Sequence, residues 1–388
     1  MKRLNVVAVL SVSLIGLASC QKENQSGNNQ PASEVAGRAT NSSNNQGDAN
    51  DPGAVYLLDN SAGGNHVLAY ARSVNGQLTA KGSFATGGTG TGSGLGSQGA
   101  VILDNSNQYL FAVNAGSNDI SSFRVTNEGL TWIDKIGSGG NTPISLTLND
   151  DVLYVLNAGG TGNIHGFKVN DGHFTSVAGS TQSLSSEAAG PAQIQFNHEG
   201  TALVVTEKNT NTIDVYPINN GVAGTRASFP STGVTPFGFA FGNNDEFFVS
   251  DAYGGMAGQS ALTSYSLSNI SNLVLLSGPV ATTQTSACWV AVTNNGRFAY
   301  TANTGSATIS GFSISNSGVV TLLNANGVSG NTGTSPADLA LSNNSHFLYA
   351  RNGSGNSISI FEVAASGSLS NIGTITGLPS GSAGLAAK

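Results

Sequence analysis

One stretch of sequence recurs seven times, and that recurrence limits what the chain can fold into more than any other feature. Its most regular copy is GPAQIQFNHEGTALVVTEKNTNTIDVY, from Gly190 to Tyr216. It reads as a strand (Ala192–Phe196), a turn, a second strand (Thr201–Thr206), a polar turn and a third strand (Thr212–Tyr216). The aromatic ending the third strand recurs at Tyr70, Phe123, Phe167, Tyr216, Tyr265, Phe312 and Phe361, at intervals of 44 to 53 residues. First strands line up as Gly99–Leu103, Ile144–Leu148, Ala192–Phe196, Phe237–Phe241, Cys288–Val292, Ala337–Leu341 and Ala383–Ala387. Large apolar residues at their third and fifth places alternate with small or polar ones, the period of a strand. Fourth strands follow each aromatic, as in Gly129–Asp134 and Gly318–Leu323.

Four short strands per repeat, seven repeats and no helical periodicity predict an all-β fold, a seven-bladed β-propeller with four-stranded blades. The repeat region starts at Val55 with a second strand and stops just after a first strand at Ala387. The two termini are therefore expected to complete one blade and close the ring, leaving no exposed sheet edge between blades.

Residues 54–388 make up this domain, and two segments precede it. Lys2 and Arg3 lead an apolar run, Leu4 to Ala18, which is too short to span a bilayer and suits a secretory signal. It ends in Leu-Ala-Ser-Cys20, which resembles a bacterial lipobox, so residues 1–19 are expected to be removed and Cys20 lipidated. Residues 20–53 are rich in Asn, Gln, Ser and Gly, have little to bury, and read as a flexible tether of roughly 30 Å. The expected location is the bacterial cell envelope, periplasmic or surface-facing, with membrane attachment through the lipid anchor only. The other cysteine, Cys288, stands beside Trp289 and reads as a buried small hydrophobe.

Charged residues are 9% of the chain, the formal net charge is -7, and no Lys/Arg cluster follows residue 3. A nucleic-acid partner is excluded on that balance, because phosphate binding requires neutralising charge. Gly94–Gly99 matches GxGxxG but precedes a strand without a βαβ unit, and His198-Glu199 does not continue to HExxH. No metal and no cofactor is implied by any cluster, and a monomer is expected.

Two sets of positions depart from the repeat. The second place of each first strand is Ala100, Ser145, Gln193, Gly238, Trp289, Asp338 or Gly384. Four of these are small, as a ring crowded round an axis requires. Gln193, Trp289 and Asp338 either face a ligand or plug the channel and bond backbone groups. The polar residue closing each second strand is Asp59, Asn114, Asn157, Glu207, Asp251, Asn303 or Asn352. Asn and Asp read here as turn formers bonding their own backbone. Glu closes a less favourable ring, so Glu207, followed by Lys208, reads as a functional departure or as part of a solvated loop.

The Gly190–Tyr216 stretch, TPFGFAF, ACWVAVTNNGRFAYTANTGSATISGF and SPADLALSNNSHFLYARNGSG resemble the seven-bladed propeller lactonase family. That family includes propeller-type 6-phosphogluconolactonases and fungal 3-carboxy-cis,cis-muconate lactonising enzymes, and the resemblance covers essentially all of residues 54–388. In the muconate branch a His, an Arg and a Glu converge on the lactone. Glu207 matches the Glu, whereas Ala192 and Gln193 stand where the Arg and His belong, so the chain is closer to exported members with unassigned substrates. The resemblance implies lactone hydrolysis with Glu207 as base and Gln193, Lys208, Trp289 and Asp338 binding substrate at the channel mouth. The competing expectation is a non-catalytic envelope module that binds a surface protein or glycan.

Overall fold

A computed structural model describes residues 52–269 and 272–388; the expected signal peptide, lipidation site at Cys20 and tether lie outside the described residues. The described residues form seven antiparallel sheets, each of four strands or four strands' equivalent, and a single 3-10 turn at Tyr253–Gly255. This is the seven-bladed propeller that the repeat predicts. Blades are numbered here from the one that contains both termini.

In blade 1, Gly53–Leu58 pairs on one side with His66–Arg72 and on the other with Ala383–Ala387, the innermost strand. The innermost strands of blades 2 to 7 are Val101–Leu103, Asn141–Asn149, Pro191–Phe196, Pro236–Phe241, Ala287–Val292 and Pro336–Leu341. In blades 3, 4 and 6 the outer strand is split in two, as in Val222–Ala223 and Ala227–Pro230 of blade 4.

Three innermost strands begin one residue before the predicted first strand, at Pro191, Pro236 and Pro336, and that of blade 3 begins at Asn141 with Pro143 as its third residue; a register shift follows each of the four prolines. Proline has no N–H to give to the ladder and is tolerated at a strand's start or at a bulge, where none is required. The shift is a bulge; beyond it the alternate N–H groups of this edge strand face out of their own sheet, as those of Ile194 and Phe196 do toward Ser145 and Thr147 of blade 3. Residues ahead of these prolines take left-handed backbone at Thr142, Gly190 and Thr235.

The core lies between blades. Six of the seven repeat aromatics are buried, from Phe123 and Tyr216 at 0% to Tyr265 at 2% exposure, and Tyr70 is half-buried. Between blades 4 and 5 the rings of Phe239, Phe241, Phe247 and Tyr265 pack at 5.2 to 6.1 Å. Across five of the blade gaps a hydroxyl also reaches the glycine of the next blade's outer turn. The Tyr154, Tyr300 and Tyr349 hydroxyls donate to the carbonyls of Gly221, Gly367 and Gly76 at 2.9 to 3.0 Å. Ser122 and Ser264 do the same to Gly172 and Gly318 at 2.6 Å. These five glycines have φ between 75° and 84°, a conformation a side chain at that position would strain.

Closure depends on Ala383–Ala387, which no other segment can replace. Removing residues 379–388 is expected to abolish the single cooperative thermal transition of the domain, read by circular dichroism. An unchanged melt would show that the ring does not need this strand.

Candidate functional site

The channel is blocked part-way along its length. The glycine-rich segment Gly94–Gly99 crosses it from blade 2, and its side chains and backbone bond three other blades. Ser97 Oγ donates to Ile144 O at 2.8 Å, Gln98 N donates to Ala192 O at 3.1 Å, and the Trp289 indole donates to Ser97 O at 2.8 Å. The Gln98 amide clips Val290, accepting from its N–H at 3.1 Å and donating to its carbonyl at 2.7 Å. Glycines at 96 and 99, both at positive φ, let the segment fold that tightly. The GxGxxG match thus marks a plug.

Gln193 makes the same clip one blade earlier, accepting from Phe239 N at 2.7 Å and donating to Phe239 O at 2.8 Å. Ser145 Oγ accepts from Ile194 N at 3.2 Å, and Gly99 O from Leu146 N at 2.8 Å. The third-place N–H groups of blades 3, 4 and 5 are therefore satisfied by the preceding blade, that of blade 6 by the plug, and that of blade 7 by its own Asp338. Blade 5 carries Gly238 at its second place, and Gln98 supplies the clip to blade 6. A side chain at 238 would begin 2.3 Å from Gln98 Oε1.

The plug floors a cavity of about 650 Å³ open at the distal face, where innermost strands end. Gln98 and Gln193 form its floor; Gln195, Asp104, Asn294 and Asn343 stand on its walls and rim, with an apolar wall including Leu146 and Leu385. The rim is tied from blade to blade: Asn243 Nδ2 donates to Asn294 O at 3.1 Å, and Asn294 Nδ2 to Asn343 O.

The structure does not bring the five candidate side chains together. Gln193 alone borders the cavity. Trp289 is 1% exposed, with its ring 5.0 Å from Phe237, and serves the plug. Asp338, 1% exposed, accepts from its own Leu339 N at 2.8 Å and stands opposite buried Arg351; burial pushes its carboxyl up to about 8. Lys208 donates to Gly96 O at 2.8 Å and lies 4.6 Å from the centre of the Phe237 ring. Burial there draws its ammonium down to about 8.

Glu207 is fully buried at the opposite, proximal end of blade 4, where it pairs with Pro191 at the start of the innermost strand. It is not part of a solvated loop. Its carboxylate accepts from Ser185 N at 2.9 Å, from Ser185 Oγ and from Thr210 Oγ1 at 2.7 Å, so it ties blade 4 to the connection from blade 3. The Asn residues at this position are not self-bonding turn formers either. Asn114, Asn303 and Asn352 are buried and donate across the turn to third-strand hydroxyls: Ser121 at 2.8 Å, Ser310 at 2.9 Å and Ser359 at 2.9 Å. The longer route wins because a side-chain donor buried in the sheet has no water to use.

Blade 4 replaces that Asn-to-Ser pair with two carboxylates, and sequence reading missed the second. Asp214 stands seven residues after Glu207, where the sibling blades have Ser121, Ser310 and Ser359. It too is fully buried, takes a 2.5 Å hydrogen bond from Ser228 Oγ, and has Arg226 Nε at 3.4 Å. Burial, then its hydrogen bond and repulsion with Glu207, hold its carboxyl well above the usual range. Aligning the third strands by place would have exposed it. Asp251 in blade 5 is a related substitution, buried, with Thr263 Oγ1 at 2.5 Å and its pKa pushed up to about 8 by burial.

Two expectations follow. Gln193→Ala orphans the N–H and carbonyl of Phe239 and should cost about 1–3 kcal/mol, read from the urea midpoint. Asp251 and Asp338 are held protonated in the fold, with values about 8 against 3.8 for the free group. The unfolded chain therefore sheds their protons first, and stability falls as pH rises from about 4 to 8. The melting temperature should be higher at pH 5 than at pH 8, and Asp251→Asn, the residue of the sibling blades, should shrink that difference.

Among the described residues no group of three or more His, Cys, Asp or Glu side chains could hold a metal ion, and no helix is long and apolar enough to cross a membrane. No protein-family model and no curated protein matches the sequence. Solved structures do resemble the fold. A candidate 6-phosphogluconolactonase from Bacteroides fragilis is 17% identical with a TM-score of 0.67, over 87% of this chain and 97% of that one. The periplasmic gluconolactonase PpgL of Pseudomonas aeruginosa is 16% identical with a TM-score of 0.67, over 85% and 98%. A protein from Lactobacillus plantarum is 15% identical with a TM-score of 0.69, over 87% and 100%. At these identities the likeness is one of architecture, a seven-bladed propeller spanning nearly the full length of each of these chains.

Proposed function

We propose that the protein is a lactonase-like propeller of the bacterial envelope that seats a lactone or cyclic sugar in the distal cavity. The observation carrying this is the lining: side-chain amides on floor and rim, an apolar wall, and one carboxylate, Asp104. Such a surface suits a small polyhydroxy ring, with amides for its hydroxyls and apolar groups for its C–H face. The names of the Bacteroides and Pseudomonas proteins, both lactonases by description, favour the same class. Lipid anchoring through Cys20 is part of the proposal and rests on the lipobox-like sequence.

Hydrolysis needs a base for water near the carbonyl. Glu207 is placed at the far end of blade 4 and buried, so its candidacy requires a second opening at the proximal face. Asp104 is the titratable side chain among those lining the cavity. One observation favours the non-catalytic reading instead: Asp104 already accepts from Tyr109 N at 2.7 Å and from Ser106 N at 3.2 Å in its turn.

A panel of sugar lactones and aromatic-derived lactones, assayed on purified protein, tests the activity. With a substrate in hand, Asp104→Asn should lower kcat by about 100-fold or more, while Glu207→Gln should leave kcat within a few-fold and lower the melting temperature. The reverse pattern would move catalysis to the Glu207–Asp214 pair. Ligand binding without turnover would establish the non-catalytic module.

A further inference from the structure

We infer that the distal cavity selects uncharged polyhydroxy rings over their phosphate esters. The inference rests on the reading above, that this cavity takes a lactone or cyclic sugar. A phosphate monoester brings up to two negative charges and must replace its water with cations or with unoccupied N–H groups. None of the residues lining the cavity is Lys, Arg or His.

Three backbone N–H groups of the lining are also already taken: Leu146 N by Gly99 O, Ile194 N by Ser145 Oγ, and Phe239 N by Gln193. The one charged lining side chain, Asp104, has the sign of a phosphate, and the chain as a whole carries a formal charge of -7. Two cations stand nearby without lining the cavity: Lys208, held against Gly96 and Phe237, and Lys388, next in the chain to the lining Ala387 and within electrostatic reach of Asp104.

What the site does offer suits hydroxyls. Gln195, Asn294 and Asn343 present amides, each both donor and acceptor, at no charge. Selectivity against the ester is then built from missing cations and one opposing carboxylate.

The test compares an uncharged aldonolactone with its phosphate monoester on the full-length protein, by hydrolysis rate and by calorimetric binding of the corresponding sugar and sugar phosphate. The uncharged member should be favoured roughly tenfold or more in kcat/KM or Kd, and the gap should narrow as ionic strength rises. Gln195→Lys, which adds a cation to the wall, should shift preference toward the ester. Equal or better handling of the ester by the unmodified protein overturns the inference and leaves the lactone reading standing. If neither compound is opened or bound, the reading and the inference fall together. If Gln195→Lys leaves the preference unmoved, its electrostatic basis is refuted.

Discussion

The ring depends on backbone groups that not every blade can satisfy alone. An innermost strand is the edge of its sheet, so alternate N–H groups point out of it and need an acceptor from outside the ladder, which in several blades the preceding blade supplies. Ser145, Gln193 and the carbonyl of Gly99 do so for their neighbours, and the far edge repeats the logic with hydroxyls on turn glycines. Hydrophobic packing between blades is non-directional and would tolerate sliding; these bonds fix the angle and register from blade to blade. The same bonds explain the composition. A protein with 52 glycines and 9% charged residues has its polarity in short side chains that can be buried and satisfied.

Most of the fold was legible because a propeller repeats its physics along with its sequence. The period-two strands, the aromatic that ends each third strand and the position of the two termini each point to the same closed ring, and the sheets bear this out. The innermost strand starts were legible only approximately. Pro143, Pro191, Pro236 and Pro336 looked like residues outside a strand, and the left-handed Thr142 and Thr235 carry no local signal at all.

The candidate site was much less legible, for a physical reason. Gln98 meets Val290 and Trp289 meets Ser97 across 192 positions of sequence, so no local pattern announces the plug. Departure from the repeat flagged Gln193, Trp289 and Glu207, but departures mark two different things: groups that face a ligand and groups that repair a local deficit of hydrogen bonds. Trp289 and Glu207 belong to the second kind by their partners. Gln193 has partners of the second kind as well, its amide serving blade 5, and it also borders the cavity.

Gly238 has a consequence for what a solute meets. Its missing side chain leaves the space that Gln98 fills, and with Gln98 in place the central passage is a cup with one open end. Solutes on the two faces of the disc therefore meet different surfaces, with Gln98 and Gln193 among the groups at the bottom of the cup. The seating of Gln98, and with it the bottom of the cup, rests on the hydrogen at one α-carbon, in a strand that borders the cavity only at its neighbours Phe239 and Ala240.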